Sequence, residues 1–181
     1  MKLSEMRECL AREGIRLTRS LGQNFLHDGN QLRRIVEAAQ LTRSDRVLEI
    51  GAGSGYQAAI LSRLVRSVVT VERLKTVAEQ ARSNLAAVHA ENVEIVEGDG
   101  TLGYPPLAPY NGVMVTAATP EIPRPLKEQL AEGGRLIAPV GGRDMQELIA
   151  IERHGGQYRE ERHGGVRFVP LIGKFGWEEY Q

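Results

Sequence analysis

Short apolar runs alternate with amphipathic stretches along most of the chain, and this pattern predicts strands that alternate with helices. The apolar runs are rich in β-branched residues, as is typical of buried strands, and they span 47–50, 67–72, 92–97, 111–116, 135–140, 146–153 and 166–171. Apolar residues at helical spacing cover 57–65, 74–88 and 123–130. We therefore predict an α/β fold with a doubly wound, mostly parallel sheet, to which the last two strands add an antiparallel edge.

A glycine-rich turn follows the first predicted strand at once. Gly51, Gly53 and Gly55 lie between Ile50 and the start of the helical period. Glycine allows the positive φ of a sharp turn and lets a ligand approach the backbone, and the start of the helix adds free N–H groups. The spacing Gly-x-Gly-x-Gly differs from the Gly-x-Gly-x-x-Gly of dinucleotide binders. We predict a nucleotide-type site here, with a purely structural turn as the alternative for the glycines alone.

Glu49 stands two residues before the first glycine and indicates the charge of the ligand. A carboxylate at this position would repel a pyrophosphate but would attract a cationic amine. S-adenosylmethionine carries both an ammonium and a sulfonium group. We therefore predict S-adenosylmethionine as the cofactor.

Length and charge limit the remaining possibilities. A chain of 181 residues is long enough for one full core and too short for two comfortable domains. We predict a single domain, 1–181, with a helical lid segment at 1–45 and a cofactor-binding α/β core at 46–181. The formal net charge is zero, and the nine basic and six acidic residues of 1–46 favour a solvated face over a nucleic-acid arm.

The cysteine and histidine content points away from disulfides and metals. The single cysteine, Cys9, excludes an internal disulfide and cannot complete a zinc set, and the four histidines lack the spacing of a helix-borne metal site. No apolar run approaches membrane-spanning length, and the N-terminus has no hydrophobic signal core. We predict a cytoplasmic protein without a metal or membrane partner, and the oligomeric state stays open.

Polar and small residues end the predicted parallel strands, at the edge where an open α/β sheet binds its ligand. Glu72 ends the second strand and can accept both hydroxyls of a ribose, and Asp99 follows the third and can accept from an adenine amino group. Thr116, Ala117 and Ala118 end the fourth and leave room for a reacting methyl group. Each of these features alone also has a purely structural explanation: a surface charge, an Asp-Gly turn or packing. Together they indicate an adenosyl-type site.

Two strings in the sequence are specific, namely Gly-Ser-Gly-Tyr-Gln at 53–57 and Gly-Asp-Gly-Thr-Leu-Gly at 98–103, with further strings at 108–110, 115–118, 120–123, 133–136 and 166–171. Through these strings, the chain from Val47 to about Gly173 resembles the protein-L-isoaspartate O-methyltransferases. The resemblance implies a class I, Rossmann-like fold and an S-adenosylmethionine-dependent repair enzyme that methylates isoaspartyl carboxylates in damaged proteins. It implies that the cofactor is bound by Glu49, Gly51, Gly53, Ser54, Gly55, Glu72, Asp99 and Gly100.

The N-terminal part departs from that family. Where the family has Gly-Gln-Thr-Ile-Ser-Gln-Pro, this chain has Gly-Gln-Asn-Phe-Leu-His-Asp at 22–28, so that Leu26 takes the place of the substrate-side serine. The stretch 15–51 instead resembles the start of small-subunit rRNA adenine dimethyltransferases, so the chain reads as a composite or chimera. By resemblance, the substrate side comprises Thr116 and the predicted strand 166–171, with 23–27 as a lid.

The acceptor distinguishes three hypotheses. Adenine methylation needs hydrogen-bond acceptors and an aromatic face for the flipped base, and Thr116–Thr119 contains neither an aromatic residue nor an asparagine. A carboxylate is already ionised at pH 7 and needs only alignment with the methyl group. We therefore favour an isoaspartyl methyltransferase acting on damaged peptides or proteins. The alternatives are RNA methylation, or a cofactor-binding fold with little activity.

Overall fold

The structure is a computed structural model, and it describes residues 35–179. The predicted lid segment up to residue 34, including Leu26, lies outside the described residues. A seven-stranded sheet consists of β1 (Arg46–Ile50), β2 (Ser67–Glu72), β3 (Val93–Glu97), β4 (Tyr110–Val115), β5 (Leu130–Gly141), β6 (Gln146–His154) and β7 (Gln157–Val166). A helical stretch at 35–39 precedes β1, and the later helices are α1 (Tyr56–Ser62), α2 (Lys75–Ala87) and α3 (Arg124–Glu128).

The strand order confirms the predicted fold class. The sheet has the order β3-β2-β1-β4-β5-β6-β7. The first five strands of this order pair in parallel, whereas β6 and β7 pair antiparallel at one edge. The order reverses between β1 and β4, so the topological switch point lies there, directly after the glycine turn.

Alternation along β1 directs side chains into cores on both faces of the sheet. Leu48 and Ile50 pack in a cluster that includes Leu126 of α3. Val47 packs on the opposite face, in a cluster that includes Leu61 of α1 and Ile35. Helices therefore cover both faces, which leaves the carboxyl ends of the strands as the open edge.

The predicted helix 123–130 is wrong at its end. The helix α3 stops at Glu128, and Leu130 already begins β5, which also contains Gly133 and Gly134. The pairing of β4 with β5 jumps from Tyr110–Leu130 to Gly112–Arg135, so four residues of β5 face Asn111 alone. Gly133 and Gly134 are two of the extra residues that form this bulge in β5.

The predicted final strand 166–171 is also wrong. The last strand is β7, which ends at Val166. Nine of its ten residues are exposed or half-buried, and its run Arg159–His163 is charged. An edge strand exposed on both faces has no apolar alternation, so the sequence pattern did not reveal it.

Among residues 35–179, no helix combines the length and apolar character that a membrane crossing requires. Within the same range, no group of three or more His, Cys, Asp or Glu side chains is placed to hold a metal ion.

Candidate active site

A cavity of about 400 Å³ lies at the carboxyl ends of β1, β2 and β4. Its floor is the glycine turn, its sides are the first residues after β2 and β4, and its remaining wall is the apolar segment Phe168–Ile172. The predicted site residues that line it are Gly51, Gly53, Ser54, Glu72, Gly100 and Thr116. Glu49, Gly55 and Asp99 are not among the lining residues, so their predicted contacts with the cofactor stay predictions.

Thr116 holds the glycine turn in place. Its hydroxyl is 2.8 Å from the carbonyl oxygens of both Ile50 and Gly51 and donates its proton to this pair. Gly51 has a φ of 94°, and a Cβ there would come within 2.6 Å of Thr116 Oγ1. Only glycine suits this position, because it tolerates both the backbone conformation and the contact. Thr116, which is predicted to lie on the substrate side, thus determines the shape of the glycine turn.

Glu72 joins the glycine turn to the start of α2. Its carboxylate accepts hydrogen bonds from the N–H of Gly53 at 3.2 Å and from the N–H of Leu74 at 3.0 Å. Each oxygen keeps a further lone pair that can accept a ligand hydroxyl. The carboxylate is therefore held in place at the cavity edge, as the ribose-binding prediction requires.

Glu49 is fully buried and lies on the face of β1 opposite to Ile50. Burial raises the pKa of Glu49 to about 8, an effect to which the charge of Glu72 adds and from which the nearby Thr70 hydroxyl subtracts. Neither the carboxylate oxygens nor the Thr70 hydroxyl has a partner in hydrogen-bonding geometry within the part of the chain that the structure describes. Among the described residues, therefore, no hydrogen bond from Thr70 offsets the effect of burial. Around neutral pH the carboxyl is largely protonated.

Two buried polar side chains face the cavity without a protein partner. Ser54 and Gln57 are 6% and 2% exposed, and neither Ser54 Oγ nor the Gln57 amide has a hydrogen-bond partner among residues 35–179. Leaving such groups unpaired costs free energy, which a polar ligand would recover. Gln57 was missed by the sequence analysis. A signal was present, since Gln57 is the amide in the first turn of an otherwise apolar or small-residue helix.

The Asp99 carboxylate accepts hydrogen bonds from protein groups that do not line the cavity. Its Oδ1 accepts from the N–H and the hydroxyl of Thr101 at 2.9 and 2.7 Å, and its Oδ2 accepts from the N–H of Lys174 at 2.8 Å. The neighbouring Gly100 does line the cavity, and a Cβ there would come within 2.5 Å of Ile50 Cγ2. The Asp-Gly pair therefore contributes its glycine to the cavity floor.

The apolar wall adds a short ladder beyond β4. The N–H of Ala118 donates to Val169 O, and the N–H of Leu171 donates to Ala118 O, both at 2.7 Å. The segment 167–171 is not a strand of the sheet, but these bonds place it beside Ala118, just beyond the carboxyl end of β4. Its role on the substrate side stays a prediction.

The family comparison identifies what the chain resembles. Residues 28–176 match the family model of the protein-L-isoaspartate(D-aspartate) O-methyltransferases. A curated protein-L-isoaspartate O-methyltransferase from Methanoregula boonei is 72% identical over 134 residues, which are 74% of this chain and 62% of that protein. This chain spans 62–66% of the length of this and two further curated relatives of the same name.

Solved structures give the same picture. A protein-L-isoaspartate O-methyltransferase matches with a TM-score of 0.77 at 27% identity, over 96% of this chain and 67% of that one. A putative enzyme of this kind from Plasmodium falciparum, in complex with S-adenosyl-L-homocysteine, matches with a TM-score of 0.64 at 24% identity, over 78% of this chain and 71% of that one. The latter likeness establishes the fold.

The match also bears on the predicted composite. It begins at residue 28, well before the glycine turn at which the two resemblances were expected to meet. The stretch 28–46 therefore falls within the same family match as the rest of the chain. The predicted rRNA-methyltransferase resemblance of 15–51, and with it the chimera hypothesis, gains no support.

Proposed function

Since this chain belongs to the protein-L-isoaspartate(D-aspartate) O-methyltransferase family, we propose that it transfers a methyl group from S-adenosylmethionine to the side-chain carboxylate of L-isoaspartyl residues in damaged proteins. The observation that carries the proposal is the cavity at the switch point, which combines the glycine turn, the anchored Glu72 carboxylate and an apolar wall. We place the reaction in the cytoplasm, in keeping with the single cysteine.

The residues around the cavity fit the cofactor. Glu72 would accept from the ribose hydroxyls, and the turn at Gly51 and Gly53 would let the ligand approach the backbone closely. Ser54 and Gln57 offer buried polar atoms that have no partner within residues 35–179, and a zwitterionic amino-acid end would satisfy them. Donors, acceptors and space are thus present for the adenosyl and amino-acid ends.

The chemistry asks little of the protein beyond alignment. When bound, the cofactor supplies a methyl group on a sulfonium sulfur, and an ionised carboxylate accepts it without a general base. Among the described residues, Glu72 and Arg73 are the charged side chains that line the cavity. Glu72 is anchored by two backbone N–H groups and Arg73 pairs with Glu179 at 2.9 Å. An ionised acceptor carboxylate has no proton for either of them to remove. The site would act by orientation.

The product explains why such a step repairs a protein. A methyl ester is more reactive than a carboxylate, because methoxide leaves far more readily than an oxide. The following backbone nitrogen can therefore attack the ester carbonyl, and its proton leaves with the methoxide as methanol. The resulting succinimide then hydrolyses, and part of it returns to an ordinary aspartyl linkage. None of these later steps needs a residue of this site.

Labelled methyl transfer tests the proposal. The protein is incubated with methyl-labelled S-adenosylmethionine and an isoaspartyl peptide, with the aspartyl peptide of the same sequence and a 16S rRNA fragment as parallel acceptors. We expect base-labile label on the isoaspartyl peptide alone. Transfer to RNA alone would refute the proposal. Ligand-dependent thermal stabilisation without transfer to any acceptor would instead support a binding fold with little activity.

A further inference from the structure

The chain beyond the apolar wall folds back on itself as a tight turn. The N–H of Trp177 donates to Leu171 O at 2.7 Å, and the N–H of Gly173 donates to Trp177 O at 3.2 Å. The turn 173–177 is thus tied directly to Leu171, a wall residue of the cavity. A contact that fixes the turn 173–177 therefore also fixes the Leu171 end of the wall.

Asp99 and Thr101 hold the turn. Asp99 Oδ2 accepts from the N–H of Lys174 at 2.8 Å, and Thr101 Oγ1 accepts from the N–H of Phe175 at 3.2 Å. The Thr101 hydroxyl in turn donates to Asp99 Oδ1 at 2.7 Å, so it acts as donor and acceptor at once. Thr101 is fully buried. Loss of its hydroxyl would remove the acceptor of the Phe175 N–H and one of the two Thr101 donors to Asp99 Oδ1, which is costly in a partly buried contact.

The turn fits against this pair without spare room. A Cβ on Gly173 would overlap the Asp99 carboxylate and would lie 2.8 Å from Thr101 Cγ2. The turn has other contacts as well. The Arg143 guanidinium lies 4.7 Å from the centroid of the Trp177 ring, and Arg73 and Glu179 form an ion pair whose side chains are 36% and 67% exposed, of a kind that contributes little. The hydrogen bonds of Asp99 and Thr101 differ from these contacts because they join the turn to the segment that contains Gly100, a residue of the cavity lining.

We propose that Asp99 and Thr101 are positioning residues that fasten the turn 173–177 and thereby hold the wall Phe168–Ile172 against the cofactor cavity. The inference rests on the proposed function for the identity of the ligand. Its physical basis is that the other hydrogen bonds of the wall lie nearer its start. The N–H of Phe168 donates to Gln146 Oε1, and Val169 and Leu171 bond to Ala118. Gly100, between the two positioning residues, lines the same cavity, so floor and wall are joined through one short segment.

This role differs from the predicted contact of Asp99 with adenine, and two substitutions separate the roles. Thr101→Val keeps the shape but removes the hydroxyl, and Gly173→Ala drives the turn away from Asp99. Neither change removes the Asp99 carboxylate itself. Thr70→Val is the matched control for the first, because Thr70 is equally buried but makes none of these contacts. Gly98→Ala is the control for the second, because a Cβ there meets nothing within 4 Å.

Trp177 provides a direct signal, because it is the sole tryptophan of the chain and lies in the turn. In ligand-free protein excited selectively at the indole, acrylamide quenching should rise about twofold or more in Thr101→Val and Gly173→Ala. Binding of S-adenosylhomocysteine, measured by calorimetry, should weaken about tenfold in both, as expected for the loss of one or two hydrogen bonds. Thr101→Ser, which keeps the hydroxyl, and both controls should behave as wild type.

Each other outcome is informative. Unchanged quenching in both variants, with cooperative melting, would overturn the attachment. Increased quenching with unchanged ligand affinity would overturn its role in positioning the wall, and weaker binding in Thr70→Val or Gly98→Ala would expose a general effect of destabilisation. If the wild-type protein binds no S-adenosylhomocysteine, the proposed function fails, whereas the quenching comparison in ligand-free protein still decides the attachment.

Discussion

Gln57 illustrates how burial decides the use of a side chain. It lies in the first turn of α1, 2% exposed, and its amide faces the cavity without a partner among the described residues. An unpaired buried amide destabilises the free protein, whereas a bound ligand with a donor and an acceptor would satisfy it. The amide therefore lowers the stability of the ligand-free protein and raises its affinity for the ligand.

The variant Gln57→Leu tests this double effect. The unfolding free energy of the ligand-free protein should rise by about 1 kcal/mol, because an unsatisfied polar group is removed. Binding of S-adenosylhomocysteine should weaken by about 10- to 100-fold, whereas binding of methylthioadenosine, which lacks the amino-acid end, should not change. Urea unfolding and calorimetry measure the two quantities. Equal losses for both ligands would contradict the assignment of Gln57 to the amino-acid end.

Glu49 should make stability depend on pH. Its pKa is raised from 4.5 to about 8 in the folded protein, so the folded state binds more protons than the unfolded state between these values. The contribution of this proton to the unfolding free energy is fully present below pH 4.5 and is lost as pH rises through about 8. Glu49→Gln should flatten this dependence and raise the unfolding free energy at pH 8.5 by about 2–4 kcal/mol.

Urea unfolding from pH 5 to 8.5 measures this dependence. Glu94→Gln is the control, because Glu94 is an exposed carboxylate on β3 and its loss should leave the slope as in wild type. A slope that persists in Glu49→Gln would show that another group dominates the titration.

At the scale of elements, Arg135 fastens the antiparallel edge. Its side chain is 7% exposed, lies 3.6 Å from the Glu152 carboxylate on β6 and forms a hydrogen-bonded ion pair with Glu161 on β7. One buried guanidinium thus joins three strands. This edge has few apolar side chains on β7 to hold it otherwise.

Replacing Arg135 by Met should destabilise the protein by about 1–3 kcal/mol, because two carboxylates lose a mostly buried partner. Amide exchange should accelerate most in β7, which becomes the least protected strand. Arg162→Met is the control on β7 itself. Arg162 pairs with Glu147 and Glu160 but is 66% exposed, so its loss should cost less than about 0.5 kcal/mol. Equal effects of the two changes would contradict the role of burial.

At the scale of the whole molecule, the cavity exists only when the fold is complete. Its lining comes from positions between Ile50 and Ile172, brought together at the carboxyl ends of parallel strands. A ligand that binds there should therefore stabilise the entire fold. At 100 times its dissociation constant, S-adenosylhomocysteine should add about 2.7 kcal/mol, which raises the melting temperature by roughly 5–10 °C.

Gly53→Val should abolish this ligand-dependent rise, because a side chain would project from the turn that lines the cavity. Gly53 has a φ of 53°, so a loss of basal stability is also expected. Gly155→Val controls for that strain: Gly155 has a φ of 58°, and a Cβ there meets nothing within 4 Å. Its melting temperature should fall but should still respond to the ligand. A rise that persists in Gly53→Val would mean that the ligand binds elsewhere.

Patterns in the sequence were enough to predict the fold class, the glycine turn and the family. These follow from local information, because strand alternation, helical period and short strings such as Gly53–Gln57 are readable within a few residues. Glu72 belongs here too, since the end of a parallel strand locates its side chain at the open edge.

The contacts of several of these side chains became apparent only in the folded structure. Asp99 engages Lys174, 75 residues away, and Thr116 anchors Gly51 across 65 residues. Burial without a partner distinguishes Gln57 from the other glutamines among residues 35–179. The bulge at Gly133 and the exposed strand β7 likewise depend on a neighbouring strand or an edge position. A contact between residues that are distant in the sequence produces no periodic pattern. The roles of these side chains therefore become clear only from the packing of the folded chain.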